Sequence, residues 1–519
     1  MTPPSKAGER WDRSGVALSS GSPVRLYLPN DTSSRAAGAA QLAEAWADHP
    51  DVQLIRTSSR GAFSLEPMVE RDTSDGRMAW FGVAQDDLPR IKSGIGGMPV
   101  DAIPFLSRQT RCTFANFGVT QPLALDEYQS HGGLKGLEAA LAMAPAAIIE
   151  EIKVSRLRGR GGAAFPSWNK WHIARETEAD HKYIVVNADE GDAGTYCDRM
   201  IMEGDPFRLL EGILICARAI GADRTFIYCR HEYPAAAWSI RTAIEKADEA
   251  GLLDLDGEQF PIEVVSGAGA YVCGEETALL ESIEGRRGDV RAKPPYPAVS
   301  GLYGRPTVVS NVLTFAIVPA ILSRGGAWHA SMGTEYSRGT VVLQLGGRVK
   351  QPGIVEVPFG LTLRDVLERF GGGMAPGSRL KAVQVGGPLG SLFPESKLDI
   401  PICYEAFSQA GAILGHGGIV VYDHEMDMLD LAHHFMTFAA TESCGKCTPC
   451  RVGSLRSREL LERIQIGQGT PADVELLFDL GETMKTASLC AFGGRAPYPV
   501  LTAIEHFPAE FQRLRNEEI

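Results

Sequence analysis

Four cysteines near the C-terminus constrain this chain of 519 residues more than any other feature. Cys444, Cys447 and Cys450 follow one another at three-residue spacing, and Cys490 lies beyond two predicted helices. Three thiolates from one tight loop fit three corners of a cuboidal iron–sulfur cluster, and a distant fourth thiolate completes the ligand set. The pattern therefore predicts a 4Fe-4S cluster. Zinc is the alternative, although zinc sites usually pair two separated Cys-x2-Cys hairpins.

Composition and charge exclude several classes of function. The net charge of −13 argues against a nucleic-acid-binding protein, because binding a phosphate backbone needs a clustered excess of Lys and Arg. No run of about eighteen apolar residues is present, and the first residues lack an apolar signal core, so we expect no membrane insertion and no export. Ten cysteines are too few for a disulfide scaffold, which favours the reducing cytoplasm. Six of them lack ligand spacing and are expected to be small core residues: Cys112, Cys197, Cys216, Cys229, Cys273 and Cys403.

Apolar periodicity predicts a multidomain α/β chain that begins with two α/β domains. In the first, residues 1–130, the pattern indicates a strand at 24–28, a helix at 36–46 and a strand at 52–57. In the second, residues 131–335, apolar strands at 183–187 and 225–228 alternate with helices. This alternation predicts a Rossmann-like domain with a mostly parallel sheet.

The C-terminal half predicts two smaller domains. Residues 336–425 contain expected strands at 341–345, 353–357 and 380–385 around a helix at 363–370 capped by Thr362, which fits a β-grasp domain of the SLBB or ubiquitin-like kind. Residues 426–519 are expected to form a helical bundle, with helices at 427–441, 453–466, 472–485 and 500–514. The helix expected after Cys450 would point free N–H groups back towards the cluster.

A glycine-rich turn and two acidic motifs point to a bound anion and a polar ring. Gly159, Arg160, Gly161 and Gly162 let the backbone approach an anion, with Arg160 and Lys170 as candidate counter-charges, although many glycine loops are only turns. NADEGDAG follows an apolar strand directly, and Glu275 and Glu276 begin a predicted helix. A purely structural explanation is that the helix dipole favours a carboxylate at a helix N-terminus. This explanation accounts for one of the two glutamates better than for both.

Five long motifs occur in this order: LRGRGGAAFP, NADEGDAGTYCDR, AYVCGEETALLESIEGRRG, KPPYPAVSGLYGRPTVVSNVLT and ESCGKCTPCR. In that order they resemble the NADH-oxidising flavoprotein subunit of respiratory complex I and its relatives in NAD-reducing hydrogenases and formate dehydrogenases. The match covers about residues 125–515. The resemblance implies FMN, NAD(H) and a 4Fe-4S cluster as cofactors.

The resemblance also implies roles for individual residues. The glycine turn, with Lys170, would hold the phosphate region of FMN. Phe165 and Tyr296 would bracket the adenine of the nicotinamide cofactor, with Lys293 close by. The residues implied to surround the flavin and nucleotide are Asn187, Asp189, Glu190, Gly191, Asp192, Tyr271, Gly274, Glu275, Glu276, Ser310, Asn311 and Thr314.

This chain departs from the complex I pattern at several positions. Residues 191–194 read GDAG where the family usually has x-E-P-G, so Asp192 is one methylene shorter than Glu and its nucleotide contact is in doubt. Tyr296 stands in place of a Phe. The segment SLCAFGGRAPYPVL around Cys490 is more similar to the hydrogenase and formate dehydrogenase branch.

The N-terminal stretch IRTSSRGAFSLEPMVE resembles a thioredoxin-like 2Fe-2S ferredoxin. Ser58, Ser59 and Ala62 occupy positions where thiolates are expected, and Cys112 is the only cysteine before residue 190. The resemblance implies a thioredoxin-like domain that lacks a cluster and serves as a docking surface. This combination is most similar to the beta subunit of NAD-dependent formate dehydrogenase.

The motifs together predict a diaphorase subunit that exchanges hydride between NAD(H) and FMN and passes single electrons through its cluster. We name no catalytic acid or base, since the flavin and nicotinamide carry the reaction. Implied partners are a molybdenum- or tungsten-containing iron–sulfur subunit and a small thioredoxin-like 2Fe-2S subunit, in a hetero-oligomer. The alternatives are the diaphorase subunit of an NAD-reducing hydrogenase and, from another class, a non-catalytic assembly module.

Overall fold

In the computed structural model, residues 23–512 are described and begin with a five-stranded mixed sheet. Its strands are β1 (Val24–Pro29), β2 (Val52–Thr57), β3 (Val69–Thr73), β4 (Gly76–Trp80) and β5 (Met98–Pro99), in the order β2-β1-β3-β4-β5. β1 and β2 are parallel, and β3 is antiparallel to β1. The helices are Thr32–Ser34, Ala40–Trp46, Leu88–Ser93 and Pro104–Ser107. The helix expected at 36–46 thus starts later, because a π-helical turn containing Gly38 (φ +112°) precedes it.

The central domain contains a parallel four-stranded sheet, as predicted, and a separate short hairpin. The sheet order is β10-β7-β6-β11, formed by β6 (Tyr183–Ala188), β7 (Arg224–Cys229), β10 (Ile262–Ser266) and β11 (Thr307–Asn311), while β8 (Asp254–Leu255) pairs with β9 (Glu258–Gln259). Its helices are Leu125–Ser130, Lys135–Leu141, Pro145–Val154, Ser167–Glu176, Cys197–Gly204, Pro206–Ile220, Pro234–Glu249, Glu276–Ile283, Pro297–Ser300, Val312–Ala316, Val318–Arg324 and Gly326–Ala330. Pro206–Ile220 is buried at every position except Arg218, which explains its nearly continuous apolar sequence.

The third domain has the predicted β-grasp arrangement of a mixed sheet around a capped helix. Its order is β13-β12-β16-β14-β15, with β12 (Thr340–Gly347), β13 (Gly353–Pro358), β14 (Leu380–Val385), β15 (Ser391–Pro394) and β16 (Gly418–Asp423). Thr362 and Asp365 form a capping box at the start of helix Leu363–Arg369, and a further helix spans Tyr404–Gln409. The first and last strands, β12 and β16, are parallel.

The C-terminal domain is a helical bundle, and its helix bounds differ by a few residues from the expected ones. The helices are Met428–Glu442, Thr448–Gln465, Pro471–Ala487, Ala491–Arg495 and Tyr498–His506. The helix expected at 500–514 ends at His506, and a single 3-10 turn, Pro508–Phe511, follows it. Residues 513–514 lie outside the described part of the chain. Among residues 23–512, no helix is long and apolar enough to span a bilayer.

The N-terminal domain is joined to both neighbouring domains by a buried contact region, which we call the N-terminal joint: residues 57–63 and 111–117 together with Glu356. Phe114 and Phe117 belong to the core of the central domain, whereas Ala62 belongs to the core of the β-grasp domain. The N-terminal domain therefore completes two hydrophobic cores, a role that was not predicted from the sequence, and its docking role stays a prediction.

Candidate functional site

The glycine turn is packed tightly between the central and β-grasp domains. The backbone N–H of Arg160 donates to the Thr314 hydroxyl (2.9 Å), and the N–H of Gly159 donates to the Phe165 carbonyl (2.8 Å). Gly162 has φ +96°, and a Cβ there would lie 3.2 Å from the Gly415 backbone. Glycine is therefore needed for the close approach of two backbones, independently of any ligand.

The Arg160 side chain is engaged in structural contacts rather than facing an anion as its predicted role requires. It is buried, donates to the carbonyls of Arg158 (2.9 Å) and Arg338 (3.3 Å), and lies 5.1 Å from the centre of the Phe359 ring. These contacts hold the guanidinium against the β-grasp domain. The guanidinium of Arg160 is therefore not free to pair with an anion at the glycine turn.

The acidic loop after β6 places an unsatisfied carboxylate at the carboxyl edge of the parallel sheet. The Asn187 amide donates to the Gly274 carbonyl (2.7 Å), and its oxygen accepts from the Asp189 N–H (3.2 Å). Asp189 Oδ2 is buried without a hydrogen-bond partner in the described structure, and burial raises the pKa of Asp189 to about 7. Ligands of open α/β sheets bind at this edge, so this acceptor fits a donor on a flavin ring.

Two other carboxylates of this loop have partners within the protein. Glu190 is buried and accepts from the N–H groups of Asp198 (3.2 Å) and Arg199 (3.0 Å) at the start of helix Cys197–Gly204. Asp192 accepts from the Tyr271 hydroxyl (2.7 Å), and a Cβ at Gly191 would lie 2.5 Å from the Tyr271 ring. Burial raises the pKa of Asp192, and the hydrogen bond from Tyr271 opposes that rise.

A chain of alternating charges runs along the start of helix Glu276–Ile283. Lys170 contacts Glu276 (2.9 Å), and Lys293 contacts both Glu276 (3.1 Å) and Glu275 (3.0 Å). Burial alone would raise the pKa of Glu276, but the positive charges of Lys170 and Lys293 outweigh this effect. The pKa of Glu276 is therefore lowered. Glu275 caps the helix by accepting from the N–H groups of Thr277 and Ala278, so its helix-cap interpretation is confirmed. Lys170 shares its charge with Glu276 and is only partly available to a phosphate.

The remaining predicted cofactor residues surround the same sheet edge or stand exposed near it. Asn311 pairs with Asn187 across β11 and β6, caps helix Val312–Ala316, and follows Ser310 in the strand. Phe165 and Tyr296 are unusually exposed for aromatic residues, at 43% and 58%. Exposed rings beside a polar sheet edge suit stacking on a planar ligand. We call this surface, from the acidic loop to Phe165 and Tyr296, the cofactor face.

The four cluster cysteines converge at the start of two helices. Cys447 is the residue before helix Thr448–Gln465, and Cys490 is the residue before Ala491–Arg495. Helix Thr448–Gln465 begins before Cys450, not after it as expected, because Pro449 fits its first turn. The pKa of the Cys450 thiol is raised to about 11, mainly by burial and also by the thiols of Cys447, Cys490 and Cys444, while the hydrogen bond with Ser443 opposes the rise. Each of these three thiols therefore lies within electrostatic range of Cys450.

The spacing of these thiols fits a cluster better than a single zinc ion. A zinc ion bound by four thiolates at about 2.3 Å holds the sulfurs about 3.8 Å apart. No three of the four sulfurs lie within 4.8 Å of one another, whereas a different group in the described residues meets that criterion. Burial also raises the pKa of Cys490, and the negative charge of Glu275 adds to the rise. The cysteine site adjoins the cofactor face, because Cys444 and Cys490 pack against the apolar cluster that contains Leu279 of helix Glu276–Ile283.

The sequence reasoning missed three residues that bind the predicted loops. His416 Nδ1 lies 2.7 Å from the Arg160 carbonyl, Arg495 donates to the Gly162 carbonyl (3.3 Å), and Arg230 contacts the Glu190 carbonyl. Arg495 belongs to the motif noted around Cys490, so the motif contained a signal. His416 lies in a Gly-His-Gly-Gly turn that resembles an ordinary loop, and nothing in the sequence connects it to residue 160.

Comparison with known proteins assigns three segments of the chain. Residues 152–320 match the Nuo51 FMN-binding domain, residues 342–392 match the SLBB domain, and residues 430–514 match the NADH-ubiquinone oxidoreductase-F iron-sulfur binding region. The F subunit of NADH-quinone oxidoreductase in Escherichia coli (strain K12) is 43% identical over 399 residues, which cover 76% of this chain and 90% of that protein. The chain belongs to the family of NADH-quinone oxidoreductase F subunits.

Other members of this family and one solved structure extend the match. HndC, a subunit of the NADP-reducing hydrogenase of Solidesulfovibrio fructosivorans, is 45% identical over 409 residues, covering 78% of this chain and 83% of HndC. A chain from the crystal structure of an NAD+-reducing [NiFe]-hydrogenase in its H2-reduced state has a TM-score of 0.70 at 33% identity, covering 96% of this chain and 86% of that one. FMN, NAD(H) and a 4Fe-4S cluster are the cofactors of this family, as predicted.

Proposed function

We propose that this member of the family is the diaphorase subunit of an NAD-dependent formate dehydrogenase, which exchanges hydride between NAD(H) and FMN. Its cluster, held by Cys444, Cys447, Cys450 and Cys490, passes single electrons to a partner subunit. The observation that carries this proposal is the packing of the two sites against each other. Cys444 and Cys490 pack against the apolar cluster that contains Leu279 of helix Glu276–Ile283, the helix that borders the cofactor face.

The protein's own residues bind and orient the cofactors. The backbone of Gly159, Gly161 and Gly162 receives the FMN phosphate region, while Asn187 and the unsatisfied Asp189 carboxylate face the polar edge of the flavin. When bound, FMN converts a two-electron hydride transfer into one-electron steps. Phe165 and Tyr296 bracket the adenine, which orients the nicotinamide by fixing the far end of the dinucleotide. Ser310, Asn311 and Thr314 shape the floor of the site.

The N-terminal domain fits the proposed formate dehydrogenase subunit, although it does not by itself distinguish formate from hydrogen as the oxidised substrate. Its sheet has a parallel β-α-β unit followed by an antiparallel hairpin and a helix, which is the element order of a thioredoxin-like fold. Cys112 is its only cysteine, so this domain cannot supply the four ligands of a 2Fe-2S cluster from thiolates. We propose a cluster-free thioredoxin-like domain in a cytoplasmic complex with a molybdenum- or tungsten-containing subunit and a small 2Fe-2S subunit.

The second candidate is the diaphorase subunit of an NAD-reducing hydrogenase. It is favoured by the similarity to an NAD+-reducing [NiFe]-hydrogenase chain, which extends over 96% of this chain and so includes the N-terminal domain. The two candidates share the chemistry of this subunit and differ in the catalytic partner.

The deciding experiment is purification of the native complex with a tag on this chain. We expect co-purified molybdenum or tungsten, an absorbance spectrum of flavin and iron–sulfur cluster, and NAD+ reduction that depends on formate. Nickel and hydrogen-dependent NAD+ reduction would establish the hydrogenase instead. A colourless chain without flavin or iron would reject both and leave an assembly module.

A further inference from the structure

A buried group of four different donor side chains lies beside the cofactor face and has no role in the proposed electron transfer. Its donors come from three separate segments: the acidic loop after β6, the first turn of helix Cys197–Gly204, and the turn before β16. Within the described residues this is the one group of His, Cys, Asp and Glu donors compact enough for a single metal ion. Its members are Glu190, Cys197, Asp198 and His416.

Four of the six separations between these donor atoms are close to the edges of a tetrahedron around one ion, and the other two are within 4.8 Å. Cys197 Sγ lies 3.3 Å from His416 Nε2 and 3.4 Å from Glu190 Oε1. His416 Nε2 lies 3.5 Å from Glu190 Oε1 and 3.2 Å from Asp198 Oδ2. Zinc–ligand distances of about 2.0–2.3 Å in tetrahedral geometry require donor separations of about 3.2–3.6 Å.

Hydrogen bonds from neighbouring residues orient these side chains in the way that metal ligands are usually oriented. His416 Nδ1 lies 2.7 Å from the Arg160 carbonyl, and this contact orients the ring so that Nε2 faces the other donors. Asn311 donates to Asp198 Oδ2 (2.6 Å), and the N–H of Arg199 donates to Glu190 Oε2 (3.0 Å). Metal-bound imidazoles and carboxylates are typically oriented by such bonds.

An independent observation is the unsatisfied oxygen of Asp198. The side chain is 2% exposed, and its Oδ1 has no hydrogen-bond partner in the described structure. A buried carboxylate oxygen without a partner is costly, and a cation on this carboxylate would remove that cost. The Cys197 thiol is also completely buried within the same group.

We propose that Glu190, Cys197, Asp198 and His416 form a structural zinc site that ties the acidic loop of the central domain to the β-grasp domain. The mixture of one sulfur, one nitrogen and two oxygen donors favours zinc over magnesium or calcium, which prefer oxygen alone. Four protein donors leave no open position, so the ion is structural and not catalytic. The Cys197 thiol releases its proton when the ion binds.

The site also connects to the glycine turn. His416 contacts the Arg160 carbonyl, and Asp198 contacts Asn311, whose Cβ lies against Gly161. The ion would therefore fix the backbone that the proposed function assigns to the FMN phosphate. Because the Glu190 carboxylate is used by the ion, only the backbone of Glu190 remains for the predicted flavin contact.

The test is zinc and iron analysis of the full-length purified chain, grown with added zinc and dialysed against EDTA, followed by X-ray absorption at the zinc edge. We expect about one zinc per chain, with one sulfur at about 2.3 Å and three nitrogen or oxygen neighbours at about 2.0–2.2 Å. Zinc below about a fifth of an equivalent beside a full iron complement would overturn the proposal. So would zinc with four sulfur neighbours, which would assign it to the C-terminal cysteines.

Variants separate this site from other buried thiols. Cys197→Ala and His416→Ala should each lose most of the zinc while keeping iron. The matched control is Cys216→Ala, a buried thiol in helix Pro206–Ile220, which should keep both metals. Zinc retained at the wild-type level in folded Cys197→Ala would refute the assignment. If neither variant folds, the absorption spectrum of the wild-type chain still decides.

Discussion

The cofactor face and the N-terminal joint both contain buried carboxylates, but they satisfy them differently. In the joint, Glu356 accepts from three consecutive backbone N–H groups, those of Cys112, Thr113 and Phe114, and from the Thr340 hydroxyl. On the cofactor face, Asp189 Oδ2 has no partner within the described residues. In this pair, the satisfied carboxylate of Glu356 holds domains together, whereas the unsatisfied oxygen of Asp189 is available to a ligand.

The cysteine positions of the two regions show the same contrast. Cys444, Cys447 and Cys490 are partly exposed at the edge of the bundle. In the joint, Ser58 and Ser59 are buried, and the Ser59 N–H donates to Asp31 Oδ2 (2.6 Å). The loop that would carry thiolates in a related ferredoxin is used here for packing.

The largest expected effect is loss of the cluster in Cys447→Ser. The chain should fall from about four irons to a small fraction of that, because one missing thiolate opens the cluster. FMN content should stay near normal, and NADH should still bleach the flavin. Iron analysis and EPR of the reduced protein measure the effect, with Cys216→Ser as control. A normal reduced-cluster EPR signal in Cys447→Ser would contradict the ligand assignment.

The second largest expected effect is a loss of stability when Glu356 of the N-terminal joint is replaced. Glu356→Ala leaves three buried N–H groups without an acceptor at a cost of about 1–3 kcal/mol each, so we expect a loss of about 3 kcal/mol or more in unfolding free energy. Chemical denaturation of the full chain measures it. Glu356→Gln keeps one acceptor oxygen and should lose less. Equal losses in both variants would show that the charge, not the hydrogen bonds, stabilises the joint.

An aromatic ring on the cofactor face should affect binding rather than folding. Phe165→Ala should weaken NADH binding by about 1–3 kcal/mol, as expected for losing one face of a stacked adenine. Titration of NADH and the Michaelis constant measure the change, while FMN content stays near normal. Trp238→Ala, at another exposed aromatic on helix Pro234–Glu249, is the control and should change neither. An unchanged Michaelis constant in Phe165→Ala would indicate a packing role.

The smallest effect concerns the pH dependence of Asp189 in the flavin-free chain. Its folded-state pKa of about 7 lies above the unfolded value of about 3.9, so folding favours the protonated form. The protonated Asp189 carboxyl therefore contributes its whole stabilising free energy below about pH 4. This contribution is lost as the pH rises through 7. Wild type should therefore lose about 1–3 kcal/mol relative to Asp189→Asn between these pH values. The exposed control Asp101→Asn should follow wild type, and parallel curves for all three would disprove the raised pKa.

Local patterns predicted most of the fold. Strands β2 and β14 have the expected bounds, and the Thr362 and Asp365 capping box was visible in the sequence. The late start of helix Ala40–Trp46 was not predicted, because the alanines of the preceding π-helical turn, Arg35–Ala39, favour an α-helix in any local pattern. The joint was missed because its contacts, such as Glu356 with Cys112, join residues far apart in the chain.

The site was predictable where residue type and spacing decide the chemistry. The cysteine ligand set, which stays a prediction, and the helix cap by Glu275, which the structure confirms, both rest on such patterns. The Arg160 guanidinium and the Lys170 ammonium have partners that no local pattern reveals, Phe359 and Glu276. Charges near a glycine turn are therefore a weaker guide to an anion site than the turn's own backbone.

Tyr271 has a consequence for the motions that this protein allows. Its hydroxyl binds Asp192 and its N–H donates to Glu442 (2.9 Å), while its ring lies 4.9 Å from Phe438 and 5.8 Å from Phe492. A hinge between the central domain and the helical bundle would have to break all of these contacts together. Tyr271 therefore couples the acidic loop to the Cys490 helix, and a motion that separates them has the cost of losing two hydrogen bonds and two ring contacts at once.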